Sequence, residues 1–268
     1  MRQTIRTFSR LLHQMTSTSL PVQRTRRRTQ AIGTESLEVR RLLTADLDFA
    51  VSMGGTGNDL GNGIAVDAGG NVYTTGSFFG TADFDPSYSV VSNLTAFPNS
   101  SDVFISKVDP AGNFVWAKRI GGSQSDSGEK IALDGAGNVY VTGTFADTMD
   151  ADPGNGVSFL SAAGGRDAFV VKLTSTGDFV WARSLGGTDE NDVSDIAIDA
   201  AGNVVVTGSY HGTIDLDPGA GVLNKTSAGN FDAYVVQLSN AGILKWGRSA
   251  GVMGLTSGPA WLWIRRAT

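Results

Sequence analysis

The chain has 268 residues, of which 41% are apolar, and its net charge is −5. Because it holds no cysteine, disulfide bonds, zinc–thiolate sites and a thiol nucleophile are excluded. Its 35 glycines are about twice the usual share and indicate many tight turns between short strands, and no apolar run approaches the ~20 residues of a membrane-spanning helix.

The charge divides the chain into a basic head and an acidic body. Residues 1–45 carry nine Arg against Glu35 and Glu38, a balance of +7, whereas residues 46–268 carry 12 Lys and Arg against 24 Asp and Glu, a balance of −12. An arginine-rich polar head on an acidic body predicts a disordered leader over residues 1–45. The acidic body argues against a nucleic-acid partner, since such binding needs a positive surface.

The end of the head carries a motif of its own. The segment "ESLEVRRLLTADL", Glu35 to Leu47, resembles the Leu-Glu-Pro-Arg-x-Leu-Leu leader motif of planctomycete-type exported surface proteins, with Val39 where that motif has proline. The resemblance implies that the protein is exported to the cell surface or the extracellular space. It also implies that the head is not part of the fold.

The body, residues 46–251, is a tandem repeat. Trp116, Trp181 and Trp246 stand 65 residues apart in the similar stretches "NFVWAKRIGG", "DFVWARSLGG" and "ILKWGRSAG". A fixed period of this length in strand-like sequence indicates a repeat architecture. The units are predicted at about residues 54–120, 121–185 and 186–250.

Each unit predicts four β-strands in the same order. An alternating run such as "DIAID" leads through the turn "AAGN" into "VVVTGSY", and later "DAYVVQL" leads through a second turn into the tryptophan strand. The alternation places Ile196 and Ile198 on one face of their strand, and Phe179 and Trp181 on one face of theirs. Four strands joined by hairpins describe one propeller blade. The repeated tryptophan is predicted to pack blade against blade, with a binding platform as the alternative.

At this point the resemblance to a known family is clear. Residues 47–251 resemble the bacterial β-propeller repeats of the seven-bladed class, whose signature is carried at Gly121–Gly143 with Leu133 in place of Val. The resemblance implies an all-β fold of tandem four-stranded antiparallel blades, incomplete at about three blades and therefore an open arc. Members of the family tend to be secreted or cell-surface proteins of unassigned role.

The repeat pattern stops after residue 251. Residues 252–268 include Trp261 and Trp263 and do not continue it. In a shifted reading frame their codons can encode apolar-Ala-apolar-Asp-x-Ala-Gly-Asn, which is the start of a repeat. We therefore expect an aberrant, out-of-frame tail and a truncated fragment of a longer protein, with a genuine divergent C-terminus as the alternative. Open blade edges are expected to favour self-association.

One constellation of acidic residues recurs in every unit. Two aspartates stand two residues apart before a proline, and on an extended strand such residues point the same way, so both carboxylates could reach one Ca²⁺. The alternative is a turn signature in which Asp caps the turn and Pro fixes it. The candidate metal ligands are Asp83, Asp85, Asp150, Asp152, Asp215 and Asp217.

The sequence predicts no catalytic constellation. The two histidines are His13, in the head, and His211, at a position that varies between units. We therefore expect a non-catalytic, exported repeat module with a structural or interaction role, whose partner is an extracellular protein or polysaccharide and whose one candidate cofactor is Ca²⁺. The alternatives are an extracellular propeller enzyme acting on polysaccharide and a non-functional frameshifted product.

Overall fold

The computed structural model describes residues 49–87 and 89–251, so the predictions for residues 1–45 and 252–268 lie outside the described residues. The described residues form β-strands and no helix. The strands are β1 Gly54–Gly55, β2 Leu60–Val66, β3 Val72–Phe79, β4 Thr81–Asp83, β5 Asn93–Thr95, β6 Ser101–Val108, β7 Phe114–Gly122, β8 Ser127–Leu133, β9 Val139–Phe145, β10 Thr148–Asp150, β11 Phe159–Ser161, β12 Asp167–Leu173, β13 Phe179–Gly187, β14 Asn191–Ile198, β15 Val204–Tyr210, β16 Thr213–Asp215, β17 Asn224–Thr226, β18 Asp232–Leu238 and β19 Leu244–Ala250.

The strands build three four-stranded antiparallel sheets, one from each repeat. Blade 1 has the order β2-β3-β6-β7, blade 2 the order β8-β9-β12-β13, and blade 3 the order β14-β15-β18-β19. Each strand pairs with its predecessor in the same sheet, as in a meander. The predicted all-β fold of tandem four-stranded blades is confirmed.

A short hairpin links blade 2 to blade 1, and another links blade 3 to blade 2. The hairpin β10–β11 is inserted between the second and third strands of blade 2, yet it pairs with the end of β7, the outer strand of blade 1. The hairpin β16–β17 of blade 3 pairs with the end of β13 in the same way. These pairings extend the sheets of blades 1 and 2 to six strands, so the backbone hydrogen bonds of the sheet themselves join neighbouring blades.

A carboxylate fixes the first hairpin turn of each blade. In blade 2 Oδ1 of Asp134 accepts the backbone N–H groups of Ala136 and Asn138, and the Asn138 side-chain amide donates to Oδ2 at 2.8 Å. Gly137 in this turn has a φ of +80°, which favours glycine over any residue with a Cβ. The corresponding aspartates, Asp67 and Asp199, make the same bonds, which explains why the Asp-x-x-Gly-Asn pattern recurs.

The repeated Thr-Gly pair of the second strand serves packing inside the blade. The hydroxyl of Thr142 donates to the carbonyl of Phe169 on the neighbouring strand. A Cβ at Gly143 would lie 2.8 Å from the ring of Phe169, so only glycine lets this aromatic ring lie across the strand.

The predicted strand faces are confirmed for the inner strand and wrong for the outer one. Ile196 and Ile198 both pack into the core between blades 2 and 3. Trp181 packs into the same core, but Phe179 packs into the core between blades 1 and 2. The register between β12 and β13 is irregular at Leu173, where an extra residue is accommodated. Such a bulge reverses the alternation, so Phe179 and Trp181 lie on opposite faces.

Neighbouring blades pack face to face. The inner strands β2, β8 and β14 lie side by side, and the side chain of Asn62 donates to the carbonyl of Gly128 at 2.9 Å. One apolar core fills the junction of blades 1 and 2, and a second fills the junction of blades 2 and 3. The predicted packing role of tryptophan is confirmed at these junctions, since Trp116 and Trp181 donate their indole N–H to the carbonyls of Ser175 and Asn240 in the following blade.

Candidate functional site

The aspartate pairs lie at the ends of the linking hairpins. The strands β4, β10 and β16 end at the first aspartate of each pair. In the first pair Asp83 and Asp85, both half-buried, flank the buried side chain of Phe84. The other two pairs flank the buried Ala151 and Leu216. The common direction of the two carboxylates stays a prediction.

Both carboxylates of each pair accept hydrogen bonds from the backbone. Asp150 Oδ1 accepts the N–H groups of Asp152 at 3.1 Å and Ser158 at 2.9 Å, and Asp152 Oδ1 accepts that of Gly154 at 2.8 Å. The other two turns repeat the pattern, through Asp83, Asp85, Ser87 and Ser92 and through Asp215, Asp217, Gly219 and Leu223. The pairs therefore act as turn caps, as the alternative interpretation of the motif has it.

The three pairs are not brought together into one site. Each belongs to a different hairpin, and among the described residues no group of three or more His, Asp or Glu side chains is placed to hold a metal ion. Calcium binding at Asp83, Asp85, Asp150, Asp152, Asp215 and Asp217 stays a prediction.

A shallow polar cleft opens beside the second pair. It lies between the hairpin β4–β5, the outer strand β7 and the turn after β10. Its lining brings Lys118 and Arg119 to the same surface as Asp150 and Asp152. Mixed charges of this kind offer donors and acceptors to a polar ligand.

The segment Phe49–Gly55 occupies the position of an outer strand on blade 1. Gly54 pairs with Asp83, as Gly121 at the end of β7 pairs with Asp150. Phe49 lies against Gly112 of blade 1 in the way that Trp181 of blade 2 lies against Gly242 of blade 3. This segment, which sequence reasoning missed, therefore takes the place of the outer strand of a preceding blade, although it has only β4 as a strand partner.

No other described residues form a blade against the two outermost faces of the three blades. Ile64 on β2 is 68% exposed, whereas its counterparts Ile131 and Ile196 are 7% and 8% exposed because a preceding blade covers them. At the other end Trp246 is 37% exposed, and its indole N–H donates to Gln237 of its own blade rather than to a following one. Within the described part of the chain, the blades form an open set and not a closed ring.

A buried carboxyl at the junction of blades 1 and 2 also escaped the sequence analysis. Asp126 is 1% exposed. Its burial raises its pKa to about 7, and the charge of Asp102 adds to this effect, against the backbone N–H groups of Gly122 and Ala146 and the charge of Arg119. An Asp among small polar residues gave no signal in the sequence, because burial depends on the neighbouring blade.

Comparison with known proteins supports the same class. The pattern of the family described as "Beta-propeller repeat" (SBBP) matches residues 115–144. These residues run from the outer strand of blade 1 through the first two strands of blade 2. Together with the three blades, this match supports a β-propeller repeat family.

Two curated proteins are similar over longer stretches. An uncharacterized WD repeat-containing protein of Acanthamoeba polyphaga mimivirus is 27% identical over 155 residues, which are 49% of this chain and 11% of that protein. The regulatory protein FlaEY of Caulobacter vibrioides is 26% identical over 196 residues, 69% of this chain and 20% of that protein. The chain thus spans a fifth or less of the length of these relatives, and their names describe repeat-containing or regulatory proteins.

A solved structure, a protein of unknown function from Bacteroides caccae, covers 71% of this chain and 81% of its own length at 11% identity, with a TM-score of 0.28. A score this low adds nothing to the assignment. Among the described residues, no helix is long and apolar enough to cross a membrane.

Proposed function

We propose that this chain is a non-catalytic β-propeller repeat module that is exported and acts at the cell surface or outside the cell through contacts of its blade surfaces. One observation carries the proposal: the acidic pairs recur in all three blades, and in each blade they accept the backbone N–H groups of their own turn. A catalytic pair is normally needed once and is placed toward a substrate. Groups committed to three equivalent turns have a structural role.

The partner proposed for this module is an extracellular protein or polysaccharide. The test is to incubate the purified chain with a panel of extracellular polysaccharides and to measure both binding and the release of new reducing ends. Binding, or inertness toward all sugars, without new reducing ends is the expected result. New reducing ends that disappear in an Asp150→Asn, Asp152→Asn double variant would instead establish a propeller enzyme.

Export is proposed from the head alone. Tagged chains with and without residues 1–45 would be compared by fractionation of a bacterial host that recognises the leader motif. The full chain is expected in the surface or extracellular fraction and the shortened chain inside the cell. Equal distribution of both would contradict the export proposal and leave the module proposal in place.

Self-association is proposed through the uncovered face of blade 1. The exposed apolar residues of this face are Ile64 and Val66, both on β2, and exposed apolar residues that lie together mark association surfaces. Sedimentation velocity should show a concentration-dependent dimer that Ile64→Asp removes. Val157, 69% exposed on a linking hairpin, gives the matched control, since Val157→Asp should leave the dimer intact. A monomer at every concentration would refute this proposal.

A further inference from the structure

The two junctions between blades contain the same buried polar contact. The third strand of blades 1 and 2 has a fully buried aspartate near its start, Asp102 as the second residue of β6 and Asp167 as the first residue of β12. In each blade Oδ2 accepts a backbone N–H from the preceding loop, that of Phe97 at 2.9 Å and that of Ala163 at 2.7 Å. The two carboxylates are thus held in equivalent positions.

At the junction of blades 2 and 3 an amide completes the contact. Asn191, the first residue of β14, is fully buried. Its side-chain N–H donates to Oδ1 of Asp167 at 2.9 Å. A neutral donor therefore satisfies the second carboxylate oxygen without adding charge, which is how a buried carboxylate is tolerated.

At the junction of blades 1 and 2 the same place is held by an acid. Asp126 stands five residues after Gly121, as Asn191 stands five residues after Gly186. It is equally buried, and Oδ2 accepts the N–H of Gly122 at 2.7 Å. Oδ1 of Asp102, the counterpart of the atom that Asn191 reaches, is buried and has no hydrogen-bond partner among the described residues.

A single cation serves the two acids. The charged groups that act on Asp126 are Asp102 on β6 and Arg119 on β7. Arg119 pairs with Oδ2 of Asp102, and the equivalent residue in the next unit is Ser184, which has no charge. One guanidinium can balance one of these carboxylates, so a single proton is needed to neutralise the other.

We propose that Asp126 is a protonated carboxylic acid that donates its O–H to Oδ1 of Asp102, and that loss of this proton loosens the contact between blades 1 and 2. In the protonated state the pair reproduces the Asn191–Asp167 contact. In the ionised state two carboxylates meet in a buried junction, which disfavours packing. The junction of blades 1 and 2 is therefore sensitive to pH through Asp126. The junction of blades 2 and 3 has an amide at this position, and the carboxyl of its contact is Asp167, whose pKa is raised by burial.

The direction of the pH effect follows from proton binding. The pKa of Asp126 is raised from 3.8 to about 7 by burial, with the charge of Asp102 adding to it. Between these two values the folded chain binds more protons than the unfolded chain. The contribution of Asp126 to the free energy of unfolding therefore falls as the pH rises through this window and becomes level above it.

The test is urea unfolding of the full chain from about pH 5 to about pH 8.5. The wild-type midpoint should fall as the pH rises, and the Asp126→Asn variant, which copies the second junction, should lose this fall and be more stable than wild type at the upper end. The matched reciprocal variant, Asn191→Asp, should acquire a second such fall. Equal pH dependence in wild type and Asp126→Asn would overturn the proposal.

A measurement on the unaltered chain keeps the proposal testable if a variant fails to fold. Carbon NMR of chain labelled at the aspartate carboxyl groups should show one carboxyl that titrates near pH 7. Titration of every aspartate below about pH 5 would overturn the proposal on its own.

Discussion

Blade 2 and blade 3 have nearly the same sequence pattern but very different burial. Every residue of β9 and β12 in blade 2 is buried. In blade 3 the equivalent strands β15 and β18 alternate strictly between buried and half-buried residues. The difference arises because both faces of blade 2 are covered by a neighbour, whereas one face of blade 3 is not.

A repeat of this kind is stabilised largely by contacts with its neighbours. The tryptophan anchor is present in both blades, but Trp181 is 7% exposed and Trp246 is 37% exposed. The indole N–H of Trp181 donates to a carbonyl of the following blade, whereas that of Trp246 donates to a side chain of its own blade. The stability of such an array is the sum of the intrinsic stability of each repeat and the interface energy between neighbouring repeats. In this chain the covered faces supply the interface energy.

The largest effect is expected from the tryptophan anchors. Trp181→Ala removes a buried indole from the core between blades 2 and 3 and should lower the free energy of unfolding by about 3–5 kcal/mol. Trp246→Ala removes the same side chain from an uncovered face and should cost under about 1 kcal/mol. Urea unfolding of both variants measures the difference. Equal losses of stability would show that the tryptophan stabilises its own blade, and would contradict the stabilising role assigned to the following blade.

A smaller effect is expected at the inner strands. Ile131→Ala, at a position that blade 1 covers, should cost about 2–3 kcal/mol, because it leaves a cavity in the junction. Ile64→Ala, at the same position on the uncovered face of blade 1, should cost under about 1 kcal/mol. Urea unfolding measures both variants. Because the two residues lie at the same position of their strands, any difference in the loss of stability comes from the neighbouring blade. A large loss for Ile64→Ala would mean that its face is covered in solution.

Much of the fold was predictable from the sequence because it is written in local patterns. The period of 65 residues, the alternating runs and the Asp-x-x-Gly-Asn turns each depend on near neighbours, and each predicted its strand or hairpin. The prediction that Phe179 and Trp181 share a face was wrong. The bulge that separates them depends on pairing with β12, and the alternating sequence pattern does not show it.

The candidate site was less predictable, because its features depend on contacts between blades. The sequence placed the aspartate pairs at turns, but the role of Phe49 as a substitute for tryptophan appears only when its contact with Gly112 is seen. The contrast of Asp126 with Asn191 is present in the sequence, yet it has meaning only once both are found buried beside an equivalent carboxylate.

The smallest effect is expected at the aspartate turns, and it also decides the calcium prediction. Asp150→Ala removes the acceptor of two backbone N–H groups, which should cost about 1–2 kcal/mol, and Asp152→Ala removes the acceptor of one, which should cost about half as much.

The measurement is urea unfolding with added Ca²⁺ and again with a chelator. If the carboxylates act as turn caps alone, both losses are the same in the two conditions, since backbone N–H groups are their partners in each. If Ca²⁺ binds there, wild type is more stable with the ion than with the chelator, and the two variants lose this difference because ligands that bind only the folded state stabilise it. Blade 3 sharpens the result, because Asp215→Ala removes the same two contacts beside an uncovered face. Equal losses of stability for Asp150→Ala and Asp215→Ala would show that the turns contribute the same stability whether or not a neighbouring blade covers them.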